Sequence, residues 1–496
     1  MAQGAEVYLT VTDQIQLQGE IPTKGRTQSL EIMPDLSVPS PEASATDPSH
    51  ETEKNPLDTW LPITESRGGN SHTSTFHLLC SGIGVQALAL PVTFTALGWY
   101  WGILCLSLAF AWQLYTIWLL VRLHQSASGI RYSRFLHLSR AAFGDRLGKL
   151  LAIFPVMYLS GGTCVMLIIA GGGALERFHQ TMCAGETSCT AKTLSGAECF
   201  LVFSCLAVLL ALLFPNLNSL ASISAIGAVA AIGYCWLVWI LSIRMSRTEG
   251  SSLQPPPALP ETTGIRGFLA ALGTIALAFR GHNLVLEIQG TMPSSPKHPS
   301  QEPMWRGVIV SYLLISTCLY PLAIAGFWAY GNMILQAGGS TLTTLTALHG
   351  PSLSKYVLGS IYLLISISCL CSFQLYAMPV FDNLELRYAV WRTRQCPRWL
   401  RKGLRVFFGC FTFFVAVALP FLGSLAALIG GIAAPLTFSY PCFMWLAVKR
   451  PPRQKAEWWA NLGLGCLGLV LSAAVVTGAV WNLVKDGLDA NFFNPR

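Results

Sequence analysis

The stretch Thr274–Met292, TIALAFRGHNLVLEIQGTM, decides how the rest of the chain is read. Apolar residues of membrane-spanning character flank a polar centre, Arg280, Gly281, His282 and Asn283, with Glu287 a little further on. A charged side chain at bilayer depth is costly unless it faces a cavity or a partner, so an interruption of this kind points to function.

The bulk composition agrees with a membrane setting. Of 496 residues, 52% are hydrophobic and 11% charged, the make-up of an integral membrane protein rather than of soluble domains. The net charge of +8 conceals a split: the first 75 residues hold eleven acidic and four basic groups, which leaves the remainder near +15. In that remainder Lys and Arg fall between apolar runs, where the positive-inside rule accounts for them, and nucleic-acid binding is set aside. Residues 1–75 read as a disordered, acidic, cytoplasmic tail, rich in Ser, Thr, Pro, Glu and Asp, whose own partners the sequence does not name. The basic start, apolar core and cleavage site of a secretory signal are missing, so the first spanning helix is expected to direct insertion.

Eleven stretches carry about 20 apolar residues or more, the length a helix needs to cross the ~30 Å hydrocarbon layer of a lipid bilayer. They fall near 76–97, 99–122, 148–175, 195–214, 219–243, 267–290, 306–330, 355–380, 404–421, 424–447 and 458–482. Little more than Gly98 separates the first two, a tight helical hairpin. With the amino terminus inside, nineteen Lys and Arg lie in inner loops against eight outside, the expected bias. The segment 244–266, with Pro255-Pro256-Pro257, is then an outer connector. Cys183 and Cys189, in the outer loop CAGETSC, are disulfide candidates, with Cys199 as an alternative partner.

The sixth span is not the only interrupted one. The first reads FHLLCSGIGVQALALP, where Ser81, Gly82, Gly84 and Pro91 weaken the helix and Gln86 adds a polar group. Corresponding helices of two halves, each broken by Gly or Pro, point to a transporter built from inverted repeats. Spans one and six open two five-helix sets, 76–243 and 267–447, and because five is odd the second set enters from the opposite side. Residues 448–496 are left for an eleventh helix and the carboxyl terminus.

Unwinding at the midplane frees backbone N–H for a carboxylate and C=O for a cation. Gly82, Gly84 and Gly281 let backbone and ligand approach closely and can supply positive φ; the competing reading is helix packing by small residues. His282 can carry a coupling proton, since a histidine titrates at about pH 6.5 in water, or can rest neutral against unwound backbone. Glu287 is the second proton candidate, or the structural partner of a cytoplasmic arginine. Arg280 cannot deprotonate and needs an anion or several carbonyls. A substrate carboxylate, the carbonyls of the break, or Glu287, about 10 Å further along an intact helix, are its three candidate partners. Polar faces with Tyr158, Ser160, Gly161 and Gly162 in the third span, and Ser366, Ser368, Ser372 and Gln374 in the eighth, are weaker candidates for a path, since serine at such spacing often only bonds its own helix. No phosphate-binding loop, HExxH or GxSxG motif is present, so neither enzyme chemistry nor a metal or other cofactor is expected.

Longer motifs carry a resemblance: LDTWLPITESRGGN before span one, the GxG break with Pro91, FPVMYLSGGT in span three, GHNLVLEIQ with the later PMWRGVIV, and QLYAMPVFD in span eight. From about residue 57 onward the chain resembles the plant lysine and histidine transporter group of the amino acid and auxin permease family. That resemblance implies an all-α integral membrane protein of eleven helices, a LeuT-type five-plus-five inverted repeat, moving amino acids with protons across the plasma membrane, with an endomembrane as the alternative location. It implies a substrate site of Ser81, Gly82, Ile83 and Gly84 with Gly281, His282 and Asn283, while Arg280 departs from the small residue many relatives carry. The lipid bilayer, amino acids and protons are thus the expected partners. Two rival functions stay open: an amino-acid sensor with little flux, and a sodium-coupled or auxin-type organic-anion carrier.

Overall fold

A computed structural model describes residues 59–126, 129–183, 194–245, 247, 251–253, 264–295, 297–487 and 492–493. The first 58 residues, Cys189 and the Pro255-Pro256-Pro257 run lie outside the described residues, and with them the tail, the disulfide with Cys189 and the proline connector.

The helices are α1 (Ser71–Gly82), α2 (Leu90–Leu123), α3 (Phe135–Phe143), α4 (Asp145–Ile153), α5 (Ser160–Cys183), α6 (Gly196–Leu213), α7 (Ala221–Arg244), α8 (Ile265–Ala278) and α9 (Val285–Gly290). There follow α10 (Gln301–Tyr330), α11 (Thr341–His349), α12 (Lys355–Arg392), α13 (Arg398–Ala418), α14 (Ala426–Ala434), α15 (Tyr440–Lys449) and α16 (Ala456–Asp486). No strand occurs among the described residues.

Nine segments among the described residues are long and apolar enough to cross a membrane, against eleven predicted. The difference has two sources. Val85–Leu123 runs the first two predicted spans together through the bend at Gly98. The predicted span 404–421 falls on α13, whose amino-terminal turns carry Arg401, Lys402 and Arg405, too many charges for an uninterrupted apolar span of that length. Gly98 has φ 69° and ψ −178°, a conformation that costs an L side chain dearly, and a Cβ there would meet nothing within 4 Å. Backbone freedom, not crowding, is therefore the reason for glycine at this elbow.

The tail expected over residues 1–75 does not extend to residue 75. From Thr59 onward the chain is built into the protein: Leu61 and Ile63 are each 1% exposed, and Ile63 N donates to Asp382 Oδ1 at 3.2 Å. The apolar TWLPI segment buries too much surface to stay in water. Asn70 then starts α1 with a capping box: its side chain accepts from His72 N and Thr73 N, and Thr73 Oγ1 accepts Asn70 N at 2.8 Å.

Two groups of helices emerge. α1, α2, α8, α9 and α10 pack on one another, and α5, α6, α12 and α13 form a second packed set. α7 bridges them, lying against α1 and α10 on one side and α12 on the other. Both broken segments belong to the first group, so the polar interruptions meet in its interior where it faces α12.

Candidate functional site

The first break follows α1. Ile83 is extended (φ −90°, ψ 108°), as is Gly84 (φ −112°, ψ 164°), before a single 3-10 turn, Val85–Ala89, leads into α2. The second break follows α8. Phe279 is extended, Gly281 is left-handed at φ 95°, and His282–Leu284 form a 3-10 turn that opens α9. Of the three glycines expected to supply positive φ, only Gly281 does; Gly82 closes α1 and Gly84 is extended. A Cβ on Gly281 would lie 3.1 Å from Ser81 Oγ, so the two breaks touch at that point.

Helix ends at membrane depth leave carbonyls that must find donors. α12 supplies them. Ser372 Oγ donates to Cys80 O at 2.7 Å and Tyr376 OH donates to Ser81 O at 2.8 Å. Ser81 Oγ turns back onto His77 O at 2.8 Å. On the other side Asn283 Nδ2 donates to Ser160 Oγ at 2.7 Å, tying the second break to the start of α5.

His282 is 2% exposed and enclosed by α2. Thr116 Oγ1 donates to Gln113 O at 2.9 Å, so it accepts from His282 Nε2, also 2.9 Å away. Gln113 Nε2 donates to Nδ1 at 3.2 Å. This closed ring of hydrogen bonds holds a neutral imidazole. Glu287 sits differently: Oε1 accepts Phe135 N at 3.0 Å, whereas Oε2 is buried with no hydrogen-bond partner.

Arg280 neither pairs with Glu287 nor caps carbonyls of the break. Its Nη1 donates to Gln86 Oε1 at 3.1 Å, its Cζ lies 5.2 Å from the centre of the Tyr376 ring, and Nε and Nη2 are buried without partners. A Cβ on Gly84 would come within 2.7 Å of that Cζ, so glycine there makes room for the guanidinium. The structure therefore brings together Ser81, Gly82, Ile83, Gly84, Arg280 and Gly281, and turns His282 to α2, Asn283 to Ser160 and Glu287 to Phe135. Sequence reading missed Tyr376, Gln113 and Thr116. Tyr376 lay inside a quoted motif but on a helix with no break to draw attention to it, and the other two sit singly on an apolar helix.

Two ends flank this centre. A cavity of about 540 Å³, lined by residues including Val85, Leu88, Arg177, Thr346 and Tyr362, opens beside the first break. The opposite end is tied together by charge. Arg134 Nε meets Asp382 Oδ2 at 2.6 Å, Arg134 Nη2 reaches Thr64 Oγ1 at 3.0 Å, and Arg401 spans Glu65 (3.2 Å) and Glu385 (2.9 Å). From Tyr362 to Asp382 along α12 is about 30 Å at 1.5 Å per residue, a membrane thickness.

A family model described as transmembrane amino acid transporter protein matches residues 67–484. The chain belongs to that family. It is 50% identical to lysine histidine transporter-like 8 of Arabidopsis thaliana, over 90% of this chain and 85% of the relative. It is 33% identical to lysine histidine transporter-like 1 of the same plant, over 93% and 99%. Among solved structures it is similar to a Na+-coupled sialic acid symporter (11% identity, TM-score 0.50, 86% of this chain and 91% of that one). It is also similar to the manganese transporter of Eremococcus coleocola (13%, TM-score 0.53, 90% and 91%). At such identities the likeness shows the fold alone, and that fold is the LeuT type. The membership and the all-helical LeuT-type fold that the motifs implied are both met, the count of eleven helices apart, and the protein is a multi-pass membrane protein of an amino-acid transporter family.

Proposed function

We propose that the protein is a proton-coupled amino-acid symporter that imports its cargo across the plasma membrane by alternating access, with its amino terminus in the cytoplasm. The observation that carries this reading is the meeting of two helix breaks around Arg280, whose Nε and Nη2 are buried and unpartnered. Such a pair of donors, beside unwound backbone, suits an anionic group of a small ligand. Ser81, Gly82, Ile83, Gly84, Arg280, Gly281, His282 and Asn283 are the proposed substrate site. The two packed helix groups supply the moving parts: α1, α2, α8, α9 and α10 rock against α5, α6, α12 and α13. The names of the Arabidopsis relatives, and the family description, support amino acids as cargo.

His282 and Glu287 are the candidates for the coupling proton, and geometry favours Glu287. Both nitrogens of His282 are committed to neutral partners on α2, a helix of the same moving group. Glu287 keeps one oxygen free, next to the Arg134–Asp382 pair at the ion-paired end. A proton on that oxygen removes a negative charge at the junction that must open.

Uptake of labelled amino acids into proteoliposomes under an imposed pH gradient tests the proposal. The expected result is accumulation that collapses when the gradient is dissipated and is indifferent to sodium. Binding without gradient-driven uptake would instead indicate a sensor. Uptake driven by sodium, or of indole acids alone, would replace the proton or the cargo in this reading.

A further inference from the structure

We infer that the cargo carries net negative charge, an amino acid with an acidic side chain, and that Arg280 selects it. The inference rests on the reading of the protein as an amino-acid carrier and names the class of amino acid. Arg280 carries a charge it cannot lose. No Asp or Glu among the described residues forms an ion pair with it, and the acid nearest along the chain, Glu287, is turned to Phe135 N and the ion-paired end. The guanidinium is held in place by neutral groups only, Gln86 Oε1 on Nη1 and the Tyr376 ring beneath Cζ.

The two donors left over are Nε and Nη2. These two N–H groups point the same way along one edge of the guanidinium plane, the edge that a carboxylate grips with both oxygens at once. Charge balance then chooses between amino acids. A zwitterion brings no net charge, so it leaves the site with the whole +1 of Arg280 at membrane depth. An acidic amino acid cancels it, with the side-chain carboxylate on Nε and Nη2 and the amino-acid head left to the unwound backbone. A cationic amino acid such as lysine doubles the uncompensated charge and is disfavoured.

Competition assays on the full-length protein in proteoliposomes, with glutamate, aspartate, glutamine, asparagine and lysine in parallel, test this. The expected result is a preference of tenfold or more for each acid over its amide, with lysine poorest. In Arg280→Gln and Arg280→Met the acid-to-amide ratio should fall to about one or below, and Arg280→Lys, which keeps charge but loses the fork, should restore only part of it. Equal handling of glutamate and glutamine by the parent protein overturns the inference while leaving the carrier reading standing, and needs no variant to fold. So does good uptake of lysine. If no amino acid of any class is bound or transported, the carrier reading itself fails and takes this inference with it.

Discussion

Gly281 is the residue on which the second break turns. It combines a φ of 95° with a hypothetical Cβ 3.1 Å from Ser81 Oγ, so Gly281→Ala pays both a backbone and a contact penalty, about 1–3 kcal/mol for the backbone alone. The expected outcome is uptake lowered tenfold or more at equal amounts of protein in the membrane; wild-type uptake would mean that the break relaxes without loss. Glu287 and His282 can be separated in the same assay. Glu287→Gln should flatten the dependence of uptake on external pH, whereas His282→Gln should leave the shape of the pH profile intact, because a glutamine amide can still bond Gln113 or Thr116. A flattened profile in His282→Gln with an unaltered one in Glu287→Gln would reverse the assignment. At this scale the sequence was informative about charge and silent about neighbours. Arg280, His282 and Glu287 stand out from any apolar run, but that Arg280 rests on Tyr376, and that His282 is closed in by α2, depends on contacts across 96 and more than 160 positions of chain.

The elements were legible wherever a local signal existed. The breaks after α1 and α8 follow from SGIG and from RGHN, and the bend at Gly98 from one residue that tolerates positive φ. What was not legible was the packing of residues 59–69, because the TWLPI segment is too short to announce a helix and its partner, Asp382, lies 319 positions away. That segment is part of the ion-paired end. Removing one member of the Arg134–Asp382 pair leaves the other as an uncompensated buried charge, at a cost of about 3–5 kcal/mol. Asp382→Asn should therefore lower the melting temperature in detergent sharply. Arg134→Met combined with Asp382→Leu should recover a large part of that loss. Strict additivity of the two single changes would show that the pair is not coupled.

For the whole molecule, a cavity beside the first break marks one end and a cluster of buried ion pairs the other. If the amino terminus is cytoplasmic, as the distribution of Lys and Arg suggests, the cavity beside Thr346 faces the outside. Thr346→Cys should then add labelling by a membrane-impermeant maleimide in intact cells over that of the parent protein, and the increment should shrink when cargo and a pH gradient are supplied. An increment that appears only after permeabilisation would invert the topology. The all-helical, membrane-spanning plan was readable from the sequence because long apolar runs fill the chain and the two broken ones, the first and the sixth, stand five apart; the ion-paired end was not, because its charges are spread over the segment before α1, the start of α3, α12 and α13.

The hydroxyls of Ser372 and Tyr376, which hold the carbonyls at the end of α1, bear on how fast such a protein can cycle. Each hydrogen bond contributes only about 1 kcal/mol net, so releasing both slows the departure of α1 from α12 by a factor of roughly thirty. The charge pair at the far end adds less than its burial suggests, because separating Arg134 from Asp382 in water returns to both ions the hydration that burial withheld. The broken end of α1 is thus fastened lightly, and its parting from α12 meets no large barrier at the centre of the protein.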